Sequence, residues 1–93
     1  MAYRPKDLQT DIDDLNRTMR TAKVINQRGL IAQFELSPRN GYQAVDAYSI
    51  RDDGTRENSG VDCNVGCGTS LECFHYMRSH YYNLCDNQDR YPL

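Results

Sequence analysis

Residues 30–50 read LIAQFELSPRNGYQAVDAYSI. Two runs with alternating apolar positions flank a single turn cluster. Leu30, Ala32, Phe34 and Leu36 fall on one side of the first run, so Leu30 to Leu36 reads as a strand. Ser37-Pro38-Arg39-Asn40-Gly41 gathers the residues that turns use, and Asn-Gly is the strongest short hairpin signal. Tyr42 to Ile50 is then the return strand, with Tyr42, Ala44, Tyr48 and Ile50 alternating and Asp46 interrupting them. A β-hairpin therefore lies at the centre of the chain.

On its N-terminal side, Leu8, Ile12, Leu15, Met19 and Ala22 recur at helical spacing, which predicts a helix over 6–27. Pro5 suits a first turn, aspartates crowd the front half and arginines the back half, and Gly29 is a natural stop. The stripe serves a helix lying on a sheet. It also fits about two and a half heptads, so a homodimer through this helix is the other use.

On the C-terminal side, Asp52-Asp53-Gly54 is a turn, and a third strand is expected from Arg56 to Asn64, with Val61 and Cys63 on one face. Gly66, Cys67 and Gly68 read as a loop. Thr69-Ser70-Leu71-Glu72 is a capping box that opens a second helix from Ser70 to Leu84. Its apolar stripe is Leu71, Phe74, Met77, Tyr81 and Leu84, and the tail 86–93 is expected to fray. The order is αβββα: a long helix, a three-stranded antiparallel meander and a C-terminal helix, hence an α+β domain spanning 1–93. Both helices should cover one face of the sheet and leave a half-polar face for a partner.

With 93 residues, 39% of them hydrophobic, the chain has room for one modest core. A net charge of -2 provides no global field to recruit nucleic acid. Residues 1–40 carry seven basic and five acidic side chains, and residues 41–93 carry four and eight. No apolar run approaches transmembrane length, and the N-terminal residues do not form a signal peptide. The expected location is cytoplasmic (host cytoplasm for a phage-encoded chain), where thiols stay reduced.

Chemistry concentrates late in the chain. Cys63, Cys67, Cys73 and Cys85 lie close in sequence to the only histidines, His75 and His80. Three readings are open: cysteines as small buried hydrophobes, a disulfide, or a zinc site built from Cys63, Cys67, His80 and Cys85. Cys73 and His75 sit on different helix faces, and no nucleophile, base and orienting group can be assigned together, so no enzyme is expected. Arg17, Arg20, Lys23 and Arg28, interspersed with acids, fall short of a nucleic-acid-binding stripe. The contact residues expected for a partner are Tyr76, Arg78 and Tyr82, because Tyr and Arg dominate interface hot spots, with Asp52 and Asp53 from the acidic half. Asp46, Glu57 and Asp62 extend that acidic set, which could mimic nucleic-acid charge toward a basic surface.

In size, α+β order and acidity, the chain resembles the small accessory proteins of phages and mobile elements, among them anti-CRISPR and other anti-defence inhibitors. The resemblance is one of layout over the whole chain, rests on no motif and carries over no residue. It implies a stoichiometric inhibitor or regulator that binds a larger protein complex. The alternatives are a zinc-stabilised recognition module and a nucleic-acid-binding accessory protein.

Overall fold

The structure is a computed structural model describing residues 2–57 and 60–93. Its elements are α1 (Pro5–Ala22), β1 (Ile31–Arg39), β2 (Tyr42–Ile50), β3 (Cys63–Gly68) and α2 (Ser70–Asp86). The three strands form one antiparallel sheet in the order β1-β2-β3. The expected αβββα order holds.

In α1, Leu8, Ile12 and Met19 are fully buried, so the stripe expected to serve either a sheet or a dimer is spent on the sheet. Asp7 caps the helix start by accepting the Arg4 N–H at 2.8 Å. The helix ends at Ala22, five residues short of the expected boundary, with Lys23 in the left-handed region at φ 52°. The reason is tertiary. Val24 turns into the core, and its carbonyl accepts the Ala32 N–H at 3.0 Å. Asn26 then closes a tight turn by accepting the Arg28 and Leu30 N–H groups. Gly29 serves that turn at φ 79° rather than stopping the helix.

The hairpin pairs Ile31 with Ile50 through to Arg39 with Tyr42, and Gly41 takes φ 84° in the turn. β1 thus runs through Ser37 and Pro38, which the sequence assigns to the turn. Pro38 is tolerated because β1 is an edge strand, where a missing N–H need not break a ladder. Facing both helices are Ala32, Phe34 and Leu36 on β1 and Val45 and Ala47 on β2. The alternation visible in the sequence of β2 belongs to the opposite face. Asp46 fits that face after all: it is buried, hydrogen-bonded by Asn64 at 3.0 Å and 3.8 Å from Arg39.

β3 begins where the expected third strand ends. Its residues include Gly66, Cys67 and Gly68, which the sequence reads as a loop, whereas Val61 is exposed outside it. Of the expected strand, residues 58 and 59 lie outside the described residues, and Arg56 makes only an isolated bridge to Ile50. The segment instead forms an arm over the far face of the sheet. Arg56 stacks on the Tyr48 ring at 4.1 Å and bonds Glu35 at 2.8 Å. The face expected to stand open is therefore partly covered.

The Thr69–Glu72 capping box opens α2 as expected, with reciprocal bonds of 3.1 and 3.0 Å. Cys73, Met77 and Leu84 enter the core. A register shift between Val45 and Asp46 pairs Val45 with Gly66 and makes Val65 the extra residue of β3. Gly66 is required there because a Cβ would stand 2.5 Å from Tyr76 of α2. The C-terminal residues, expected to fray, fold back instead. The Gln88 amide accepts the Ile25 N–H and donates to the Ile25 carbonyl at 2.8 and 2.7 Å, and the Leu93 N–H reaches the Gln27 carbonyl.

The outer edge of β1 is closed by α1. The Asn16 side chain accepts the Phe34 N–H at 2.7 Å and donates to the Phe34 carbonyl at 2.8 Å, as a neighbouring strand would. Gln33 donates back to the Asn16 carbonyl. Asn16→Ala should lower stability in urea unfolding by about 2 kcal/mol, because two backbone groups lose their partner. A loss under about 0.5 kcal/mol would show that the clamp is idle. Gly66→Ala should cost about 1–3 kcal/mol by pushing α2 off the sheet, and an unchanged midpoint would contradict that close approach.

Candidate functional site

α1 and α2 lie side by side and point the same way: Tyr3 meets Phe74 near their starts, and Leu15 shares a crevice with Tyr81 further along. With Cys73, Met77 and Leu84 turned inward, helical spacing puts Phe74, Arg78 and Tyr81 on the flank of α2 toward α1. Tyr76 falls on the opposite flank, over β3, and Leu71 and Tyr82 point outward.

The crevice between the helices encloses about 220 Å³ and brings together Asp11, Asp14, Phe74, Arg78, Tyr81 and Tyr82. The Arg78 guanidinium lies 5.3 Å from the Phe74 ring centre, and the Tyr81 and Tyr82 rings are 5.8 Å apart. Tyr3 donates to Asp11, and its ring rests 5.5 Å from Phe74. Burial, reinforced by the Asp11 bond, pushes the Tyr3 phenol well above its ordinary range, which makes it a permanent donor. The Cys85 thiol beside Tyr81 raises that phenol too, with burial as the second cause.

Of the five expected contact residues, Arg78 and Tyr82 share this crevice. Tyr76 stands apart over Gly66, and Asp52 and Asp53 lie in the turn that opens the arm. Asp53 is held below the usual carboxylate range by the hydroxyl and N–H of Thr55. The wider acidic set is largely neutralised. Asp62 bonds Arg28 at 2.8 Å and Ser49, Glu57 meets Arg51 at 3.1 Å and Arg28 at 3.5 Å, and Asp46 is buried. Among the described residues, neither Asp52 nor Asp53 joins an ion pair.

The expected zinc ligands are dispersed. Cys63 and Cys67 sit at opposite ends of β3, about 13 Å apart along the strand. The register shift also puts them on opposite faces, with Cys63 opposite Ala47 and Cys67 opposite Ala44. Cys85 is exposed on the α1 side of α2, and His80 packs edge-on against Phe34 at 5.6 Å. Of the four, Cys63 and His80 line one cleft of about 370 Å³, which also includes Asp62 and Asn83. Among the described residues, no group of three or more His, Cys, Asp or Glu side chains is placed to hold a metal ion. All four thiols are unpaired, and Cys73 is a buried one that donates to the Gln43 carbonyl at 3.4 Å.

Cys63 and His80 are both driven toward their neutral forms. Burial, followed by the charges of Asp62 and Asp46, raises the Cys63 thiol, and burial lowers His80. A thiolate–imidazolium nucleophile requires the opposite shifts. What the sequence reading missed is the half-buried company of the crevice, Tyr3, Phe74 and Tyr81. Their 74-78-81 spacing was the available signal, but it looks the same as a core stripe.

Comparison with protein-family models, with curated proteins and with solved structures finds no match to this chain. Among the described residues, no helix is long and apolar enough to cross a membrane.

His80 supplies a pH test. Its depressed value means that the unfolded chain takes up a proton first as pH falls through the ordinary 6.5. Stability should therefore be whole above that pH and decline below it. His80→Gln should flatten the slope of the urea midpoint between about pH 7 and 5, above the range where carboxylates titrate. An unchanged slope would assign the acid sensitivity elsewhere.

Proposed function

We propose that this chain is a non-catalytic protein-binding module that docks onto a larger protein through the solvent-facing side of α2. The observation carrying this reading is that α2 keeps large side chains outside after its core stripe is satisfied. Tyr82 is 55%, Tyr76 50% and Leu71 48% exposed. Tyrosine is enriched among interface anchors, and two of these three residues are tyrosines. Arg78 lies 5.3 Å from the Phe74 ring and Tyr82 5.8 Å from the Tyr81 ring, so each has an aromatic neighbour behind it.

The finer reading is a stoichiometric inhibitor or regulator of a larger complex, as the layout resemblance to anti-defence accessory proteins implies. The ion pairs that neutralise Asp46, Glu57 and Asp62 favour steric occupation over charge mimicry.

The test is recovery from a bacterial lysate, comparing the wild-type chain with the Arg78→Ala/Tyr82→Ala double variant at matched folding by circular dichroism. The wild type should retain one protein in equimolar amount. The variant should lose it by tenfold or more, since one hot-spot residue is worth about 2 kcal/mol. Equal recovery by both would remove the proposed surface.

A further inference from the structure

Along α1, Asp7, Asp11 and Asp14 recur at helical spacing on the flank toward α2. Asp11 and Asp14 line the crevice of about 220 Å³ together with Phe74, Tyr81 and Tyr82, and Leu15, packed against the core, closes its inner side. Arg78, the cation that lines the same crevice, does not answer these acids. It lies over the Phe74 ring and, among the described residues, forms no ion pair with either carboxylate. Asp11 accepts the uncharged Tyr3 hydroxyl. Asp14 meets Arg17 at 3.1 Å in a pair more than half exposed on both sides, and such a pair is weak enough to be exchanged. We infer that this crevice receives a lysine or arginine side chain of the partner protein, its methylenes against Leu15, Phe74 and Tyr81 and its charge between the two carboxylates and the tyrosine rings. This inference rests on the protein-binding reading above and names the chemistry of the group that docks there.

Size, charge and shape select that occupant. The volume suits one long side chain and is too small for a helix, which is about 10 Å across. An anionic group would meet two carboxylates of its own sign. A wholly apolar side chain would cover those carboxylates without replacing the water they lose. Lysine and arginine combine an apolar stem with a cationic head, so the stem follows the aromatic wall while the head reaches the acids. The rings add to the attraction, because the face of an aromatic ring draws a cation. Arg78 over Phe74 is the same contact made within the chain.

The probes are Nα-acetyl-lysine methylamide and Nα-acetyl-arginine methylamide. The norleucine analogue is the uncharged control and the glutamate analogue the anionic one. Binding to the full chain is followed by side-chain NMR shifts at matched ionic strength. At least one cationic probe should shift Leu15, Phe74 and Tyr81 and bind about fivefold or more tightly than either control. Asp11→Asn/Asp14→Asn should erase that preference, while the carboxamide at position 11 keeps an oxygen to accept the Tyr3 hydroxyl. If the double variant does not fold, Asp14→Asn alone, at the exposed pair, should reduce the preference. Equal binding of cationic and uncharged probes, tighter binding of the glutamate probe, no shifts at about 0.1 M probe, or an undiminished preference in the aspartate variants would overturn the proposal. So would concentration-dependent shifts of the same side chains without probe, which would identify a second copy as the occupant. The lysate comparison with Arg78→Ala/Tyr82→Ala reports separately on the docking surface. Partner loss in that variant alongside a failed probe test would retain the surface and discard the cation. Cation-selective binding with equal lysate recovery by both chains would discard the surface, and with it the partner protein as the source of the cation.

Discussion

The clamp of Asn16 on Phe34 is the joint on which the other arrangements depend. The Phe34 side chain is buried beneath both helices, and its two backbone groups are held by one amide. The same residue thus joins the core to the sheet edge. Because α1 must reach that edge, it lies over β1 and leaves the β3 side of the sheet to α2. The parallel setting of the helices follows, since both run back against the direction of β1. That setting creates the crevice between α1 and α2, and among the described residues it leaves β3 hydrogen-bonded to β2 alone.

A second constraint acts on the opposite side of the sheet. A bare far face would expose Tyr48, which Arg56 of the arm between β2 and β3 covers, while the Asp46 carboxylate is met by Asn64 of β3 and Arg39 of β1. Arg56 stacks on Tyr48 while bonding Glu35, and Arg28 and Arg51 bind the carboxylates of Glu57 and Asp62. Charges that look like an acidic surface when read along the chain are therefore internal partners of basic residues distant in sequence. Partly exposed pairs of this kind orient the arm more than they stabilise it.

The large exposed side chains of α2 fall on two flanks, with Arg78 and Tyr82 at the crevice on one and Tyr76 over Gly66 of β3 on the other. Part of this was legible in the sequence. Tyr76, Arg78 and Tyr82 could be marked as contact residues from their types and the helical pattern alone. That they stand on two different flanks follows from which stripe is buried, and half-buried aromatics such as Phe74 and Tyr81 leave that ambiguous. The zinc reading could not be weighed along the chain either. A Cys-x3-Cys spacing brings thiols together in a loop but drives them apart in a strand, and β3 is a strand.

Local information alone determined the two helices, the Thr69–Glu72 cap, the Asn40-Gly41 hairpin and the αβββα order. Each is written in periodicity or in contacts between residues a few positions apart. Tertiary structure decided the rest: the early end of α1 at Lys23, the place of β3, the buried side of β2 and the docking of the last residues on Ile25. In each case a weak local preference was overruled by a distant partner. Val24 was drawn into the core, Gly66 gave room to Tyr76, Asp46 found Asn64, and Gln88 bonded the backbone of Ile25. Glycine-rich CNVGCG has almost no strand propensity of its own. It is extended because β2 offers a ladder and α2 can approach only where no Cβ intervenes.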